Sequence, residues 1–170
     1  PRFGSPVEWH QDWAFYPHTN DDILEVGVML DDTTLANGAM LYLPGSHKGP
    51  TYDHHAPDGT FCGAVDARGC NLDLSRAKPV EGPAGSISLH HVRLVHGSGP
   101  NRSRDRRIGF AIRYIPTHVR QLNGRDTASL VRGKDRFHHF DPEPRPESDF
   151  DAASRAAHAA VLKRHTELLM

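Results

Sequence analysis

SISLHHVRLVHGSGPNRSRDRRIGFAIRY, the stretch from Ser86 to Tyr114, decides how the rest of this chain is read. Its apolar pieces are short: Ser86-His90, Arg93-His96 and Arg107-Tyr114, each bounded by glycine, proline or aspartate. Pieces of that length between such punctuation read as strands rather than helices. Upstream, Leu24-Leu30 and Met40-Leu43 repeat the pattern, separated by Asp31-Asp32-Thr33-Thr34 and Asn37-Gly38 and followed by Pro44-Gly45-Ser46. These are turn residues for backbone reasons: glycine tolerates positive φ, proline fixes φ, and Asp, Asn and Ser bond to nearby backbone. The expectation is a mainly β fold in a meander or Greek-key arrangement.

Further out the pattern changes. From Lys48 to Leu74 the chain is rich in glycine, histidine and aspartate without a clear period, which fits a long substrate-side loop. Beyond Pro116 periodicity weakens, and Asp141-Pro-Glu-Pro-Arg-Pro146 is a proline-rich connector that cannot be helical. Ser148 with Asp151 three residues on has the pattern of a capping box, and the alanine-rich run to Leu169 favours a helix. One domain is expected over residues 1–170, with a β core at about 5–116, a loop region at 117–150 and a carboxy-terminal helix at 151–169.

Composition excludes several classes of partner. Of 170 residues 37% are apolar, enough for a real core, and the formal net charge is -1. No segment concentrates lysine and arginine among aromatics, so nucleic acid is not an expected partner. No apolar run approaches a bilayer's thickness, and Pro1 to Pro6 lacks the layout of a signal peptide, so a soluble, cytoplasmic protein without a membrane partner is expected. Cys62 and Cys70 are too few for a disulfide framework and read as reduced thiols. With thirteen histidines, a lone histidine carries little information.

Pairing carries more. In Trp9-His10-Gln11-Asp12, residues two apart on a strand project from one face, so His10 and Asp12 can both reach one metal ion. An imidazole and a monodentate carboxylate, completed by a distant second histidine, form the facial triad that leaves positions open on iron(II). The second half of the signal is His96-Gly97-Ser98-Gly99-Pro100-Asn101 followed by Arg106-Arg107.

Together with Phe15-Tyr16-Pro17, Asn37-Gly38 and Pro44-Gly45-Ser46-His47, these motifs make the chain resemble the phytanoyl-CoA dioxygenase family from about Glu8 to Tyr114. The resemblance implies a double-stranded β-helix, the jelly roll shared with cupins, with helices packed outside. It also implies an iron(II)- and 2-oxoglutarate-dependent dioxygenase that uses O2 to hydroxylate a small organic substrate, releasing succinate and CO2. His10, Asp12 and His96 are the implied iron ligands, and an arginine after the distal histidine is implied to grip the far carboxylate of 2-oxoglutarate. Strand parity chooses the arginine. Arg107 shares its side with Gly109 and Ala111, leaving room for a ligand, whereas Arg106 shares its side with the bulky Ile108, Phe110 and Ile112. Arg107 is therefore the expected anchor, able to bind a carboxylate bidentately.

Ser98, two beyond His96, is expected to face the same way with its hydroxyl near the cosubstrate. Gln11 belongs to the family motif, yet parity turns it from the metal. His91 precedes the distal ligand by an odd offset, which assigns it to packing or a supporting hydrogen bond. His47, His54, His55, His138 and His139 read as surface or loop residues, and Arg113, on the parity of Arg107, suits either an anionic substrate or a solvated strand end.

Two rival readings stand beside the oxygenase. One is a catalytically inactive jelly-roll binding protein, which could dispense with Arg107 and Ser98; the other is a cupin-like metalloenzyme without 2-oxoglutarate, whose sites favour three or more histidines. Asp12 also argues against halogenation, which needs the carboxylate's place for chloride. Only nine residues precede His10, whereas the family's first ligand motif lies well inside the domain. The chain is therefore expected to lack its amino-terminal part, leaving apolar faces such as Ile108, Phe110 and Ile112 short of cover.

Overall fold

In the computed structural model, which describes residues 4–169, strand alternation organises the larger part of the chain. Strand β2 (Leu24–Met29) is central and pairs antiparallel with both β5 (Ile87–His91) and β7 (Gly109–Tyr114). Its register sets Leu24 opposite His91 and Tyr114, Glu25 opposite His90 and Arg113, and Val26 opposite Leu89 and Ile112. Partners in an antiparallel pair share a face. One face therefore carries Val26, Ile87, Leu89, Phe110 and Ile112, and the other carries Glu25, Gly27, Ser88, His90, Ala111 and Arg113. The apolar face is largely uncovered: Ile87, Leu89 and Phe110 are 61%, 56% and 58% exposed.

The second sheet runs β1 (Val7–His10), β6 (His96–Ser98), β3 (Met40–Tyr42), β4 (Lys78–Pro79), all antiparallel. Gly97 lets β1 and β6 approach, since a Cβ there would lie 2.9 Å from the Val7 carbonyl oxygen and 3.2 Å from the Trp9 ring. The two sheets meet through Tyr42, whose hydroxyl on β3 reaches Ser88 and His90 on β5. Among the buried apolar residues are Val26, Ala39, Leu43, Val92 and Val95, the last two fully so. The Asn37-Gly38 turn forms as expected, with Gly38 at φ 84 and the Asn37 side chain accepting from the Thr34 amide at 2.8 Å.

Three expectations need correction. Arg93-His96 is not a strand. The Arg93 amide donates to His91 Nδ1 and the Leu94 amide to the His91 carbonyl, so groups that a ladder needs are spent in a tight turn, and β6 starts only at His96. Asp12 is not on β1, which ends at His10; it opens a 3-10 turn, Asp12–Phe15. Gln11 between them stays extended at φ -116 and ψ 128, so the two-residue repeat that aims both side chains the same way survives. The helix α1 (Ala152–Leu169) is capped by Asp151 itself, whose carboxylate accepts from the Ser154 amide at 2.8 Å, and not by Ser148. Aspartate is as good an N-cap as serine, and here it stands directly before the first helical residue.

The chain divides into two compact units, one of Pro1–Tyr16 with Asp21–Ile115 and the other of Pro17–Asn20 with Pro116–Met170. The second unit contains α1 and, within the expected loop region, a short parallel pair, β8 (Thr127–Ala128) with β9 (Asp141–Pro142). Arg164 of α1 donates to the Arg125 carbonyl there. No helix among the described residues is long and apolar enough to cross a membrane.

Candidate metal centre

His10 closes β1 and His96 opens β6, and the two are register partners across that pair. Their rings consequently stand side by side, with centroids 4.2 Å apart. The 3-10 turn after Gln11 swings Asp12 under both, with Oδ1 3.4 Å from His10 Nε2 and Oδ2 3.6 Å from His96 Nε2. One ligand atom from each of the three lies within 4.8 Å of the others. The far ring nitrogens are tied to backbone: His10 Nδ1 bonds the Glu8 carbonyl at 2.7 Å and His96 Nδ1 the Leu94 carbonyl at 2.9 Å. A carbonyl only accepts, so each Nδ1 carries a proton, and Nε2 is the atom of each ring that faces Asp12 and would take a metal.

Asp12 and its neighbours shift one another's protonation in opposite directions. Burial pushes His96 down to about 4, keeping it neutral, although Asp12 pulls the other way. Burial also disfavours a charge on His10, but hydrogen bonds to Asp12 and the Glu8 carbonyl outweigh it and leave its pKa raised. For Asp12, burial would favour the neutral acid, yet hydrogen bonds from His10 and His90 hold the carboxyl well below the usual carboxylate range. Two imidazoles and an ionised carboxylate facing one point suit a divalent transition metal such as iron(II).

His90 was not singled out from the sequence. Its Nε2 lies 3.4 Å from Asp12 Oδ2, its Nδ1 is 2.9 Å from the Tyr42 hydroxyl, and that hydroxyl is 3.1 Å from Ser88 Oγ. The signal that could have found it is parity within the His90-His91 pair, where one of two adjacent strand residues must face inward. His91 is the one turned away, accepting from the Arg93 amide and lying near the His47 ring.

The other expected site residues fall out as follows. The Arg107 guanidinium donates from Nε to the Asn37 carbonyl at 3.2 Å, and its terminal nitrogen sits 3.7 Å from where a Cβ on Gly109 would be. Arg106 turns the other way, 79% exposed, toward Asp31. Ser98 is buried, its Oγ accepting from the Val7 amide at 3.3 Å. Gln11 is wholly buried and faces away from the three ligand atoms: Nε2 donates to the carbonyls of Pro50 and Arg93, and Oε1 accepts from the Tyr52 amide. It thereby pins the start of the long loop beside His10 and Asp12. His54, read as a surface or loop histidine, does lie in the loop but is buried there, where its Nε2 accepts from the Gln11 amide. His55 and His138 are exposed, and Cys62 and Cys70 are free thiols.

With this geometry in place, the likeness to known proteins is informative. The chain is 53% identical over 127 residues to a probable alpha-ketoglutarate-dependent hypophosphite dioxygenase of Stutzerimonas stutzeri, a match covering 73% of this chain and 44% of the relative. It is 30% identical over 165 residues to an L-proline trans-4-hydroxylase of Streptomyces griseoviridis, covering 75% and 58%. The solved structure of the non-heme monooxygenase ThoJ in its apo form superposes with a TM-score of 0.85 at 36% identity, over 98% of this chain and 61% of that one. EvdO2 from Micromonospora carbonacea var. aurantiaca, complexed with 2-oxoglutarate, superposes with a TM-score of 0.57 at 28% identity, over 73% and 50%. The chain thus spans about half the length of the relatives it matches. The family model for phytanoyl-CoA dioxygenase (PhyH) matches residues 1–109, a span that takes in His10, Asp12, His96 and Arg107, and the chain belongs to that family.

Proposed function

We propose that this chain carries the iron(II) centre of a 2-oxoglutarate- and O2-dependent oxygenase that hydroxylates a small molecule and releases succinate and CO2. The observation that carries the reading is the convergence of His10 Nε2, Asp12 and His96 Nε2 with both Nδ1 atoms tied to backbone carbonyls. The two facing antiparallel sheets are read as the halves of a double-stranded β-helix, in keeping with the neighbours that superpose on it.

His10, Asp12 and His96 would hold the metal, which supplies open coordination positions for 2-oxoglutarate and O2 and the oxidation of substrate coupled to decarboxylation. The protein's own contributions are orientation and charge. The Glu8 and Leu94 carbonyls fix the two imidazole tautomers, and His90, itself held by Tyr42, steadies the second oxygen of Asp12. Arg107, two residues before β7 and beside Gly109, is the proposed partner of the far carboxylate of 2-oxoglutarate. Ser98 accepts from the Val7 amide, so its own hydroxyl proton is left to donate toward the cosubstrate.

The direct test is succinate formation by the iron(II)-loaded protein under O2, across small acids, oxyanions and amines. Wild type should bind one iron per chain and form succinate, and Asp12→Ala should do neither. Undiminished succinate from Asp12→Ala would overturn the ligand assignment.

A further inference from the structure

Next to the metal centre, on the same inner face of the β5-β2-β7 sheet, lies a polar pair with no part in the mechanism so far. Glu25 sits between His90 and Arg113 in register, one strand from the residue that touches Asp12. It is only 3% exposed, and its Oε2 lies 3.5 Å from Arg113 Nε. Its other oxygen, Oε1, is buried and has no hydrogen-bond partner among the described residues. Arg113 itself is half exposed, with its guanidinium 5.3 Å from the centre of the Tyr16 ring. Along the same face the neighbouring inner positions are the small residues Gly27, Ala111 and Gly109.

A structural ion pair accounts poorly for this arrangement. Buried ion pairs are tolerated when their remaining lone pairs and protons are hydrogen-bonded, and an open buried carboxylate oxygen is the reverse of that. The contact to Arg113 runs through Nε, so the terminal nitrogens of the guanidinium fork lie beyond it. A carboxyl group with one open oxygen and an adjoining half-exposed guanidinium suit a ligand that bridges them. Burial, reinforced by repulsion from Asp12, pushes Glu25 up to about 8, so at neutral pH it carries a proton to donate. A protonated carboxyl beside a guanidinium offers hydrogen-bond donors and one net positive charge, which favours a small anion over a cation or an amine.

We infer that Glu25 and Arg113 form the substrate-selecting subsite of this centre and that it takes a small oxyanion. The inference rests on the oxygenase reading above. It also gives Arg113, whose parity with Arg107 left it undecided, a role separate from cosubstrate binding.

Hypophosphite is a suitable probe, with L-proline as the zwitterionic contrast. Two measurements are made on the full chain: KM for hypophosphite and for 2-oxoglutarate in the iron(II) enzyme, and calorimetric affinity for hypophosphite in the zinc(II), 2-oxoglutarate-loaded protein without O2. Arg113→Ala should raise hypophosphite KM and Kd by about tenfold or more while moving the 2-oxoglutarate KM by less than about twofold. Glu25→Gln, which keeps a donor, should stay within about threefold of wild type, and Glu25→Ala should resemble Arg113→Ala. Thermal unfolding identifies a variant that has failed to fold, and Arg113→Gln then takes the place of Arg113→Ala. Equal rises in both KM values, or an unchanged hypophosphite affinity, would overturn the subsite. A wild type that consumes 2-oxoglutarate yet binds neither hypophosphite, phosphite nor formate overturns the subsite while leaving the oxygenase reading intact. A wild type that binds no iron and consumes no 2-oxoglutarate defeats that earlier reading instead.

Discussion

The two faces of the β5-β2-β7 sheet are built from the same three strands, and they differ by one residue of register. Val26, Leu89 and Ile112 lie on one face, and the next residues along, Gly27, Ser88 and Ala111, lie on the other with Glu25, His90 and Arg113. The first set is apolar and much of its face is open; the second is polar, faces the metal centre and includes a buried carboxyl group. Since side chains alternate with a period of two, a slip of one residue would exchange the faces and destroy the site while leaving the sheet's composition unchanged. Polarity by parity therefore says more about where the chemistry lies than any single residue type.

The contrast can be broken at several points. The largest effect is expected where the inner face meets the metal: His96→Ala should abolish succinate formation, measured by turnover in excess iron(II), since removing one imidazole leaves an incomplete triad. Next comes the comparison of Arg107→Ala with Arg106→Ala. The inner arginine should lose about 2–3 kcal/mol of 2-oxoglutarate binding, seen as a rise in KM, and the outer one almost none. Equal effects would remove the parity argument. Gln11→Ala should cost about 2–4 kcal/mol of unfolding free energy in denaturant titrations, because it strands the partners of three part-buried hydrogen bonds made by a wholly buried side chain.

A smaller effect separates the faces by pH. Glu25 is shifted from 4.5 to about 8, so the folded chain holds that proton more tightly than the unfolded one. Its stabilising contribution is then complete below pH 4.5 and is lost as the pH rises to about 8. His90, Arg113 and Asp12 face or influence the same group and stay unchanged in Glu25→Gln, which should flatten this part of the metal-free stability profile. The smallest effect belongs to the outer face: Ile87→Thr should change unfolding free energy by no more than about 0.5 kcal/mol, the range of exposed positions. A loss of about 2 kcal/mol would show that this face is covered in solution.

Much of this was legible in the sequence wherever period two and motif spacing act together. His10 with Asp12, the opposite turning of Arg106 and Arg107, and the outward His91 all follow from parity. The strand assignment failed at Arg93-His96 because a side-chain acceptor, His91 Nδ1, competes for the Arg93 amide, and composition does not reveal such a local closure. The burial of His54 within its loop was not legible because it depends on the Gln11 amide, a partner 43 residues away. His90 was passed over because its role needs Tyr42 and Asp12 brought together from three separate segments.

The most direct test of the account is proton NMR of the cobalt(II)-substituted protein under nitrogen. With cobalt bound through His10 Nε2 and His96 Nε2, the two Nδ1 protons donated to Glu8 and Leu94 should appear as two strongly shifted, solvent-exchangeable resonances. Asp12→Ala should lose both at stoichiometric metal. A spectrum with no such pair, or with a third shifted imidazole signal from His90, would contradict the assignment of His10, Asp12 and His96 as the metal ligands.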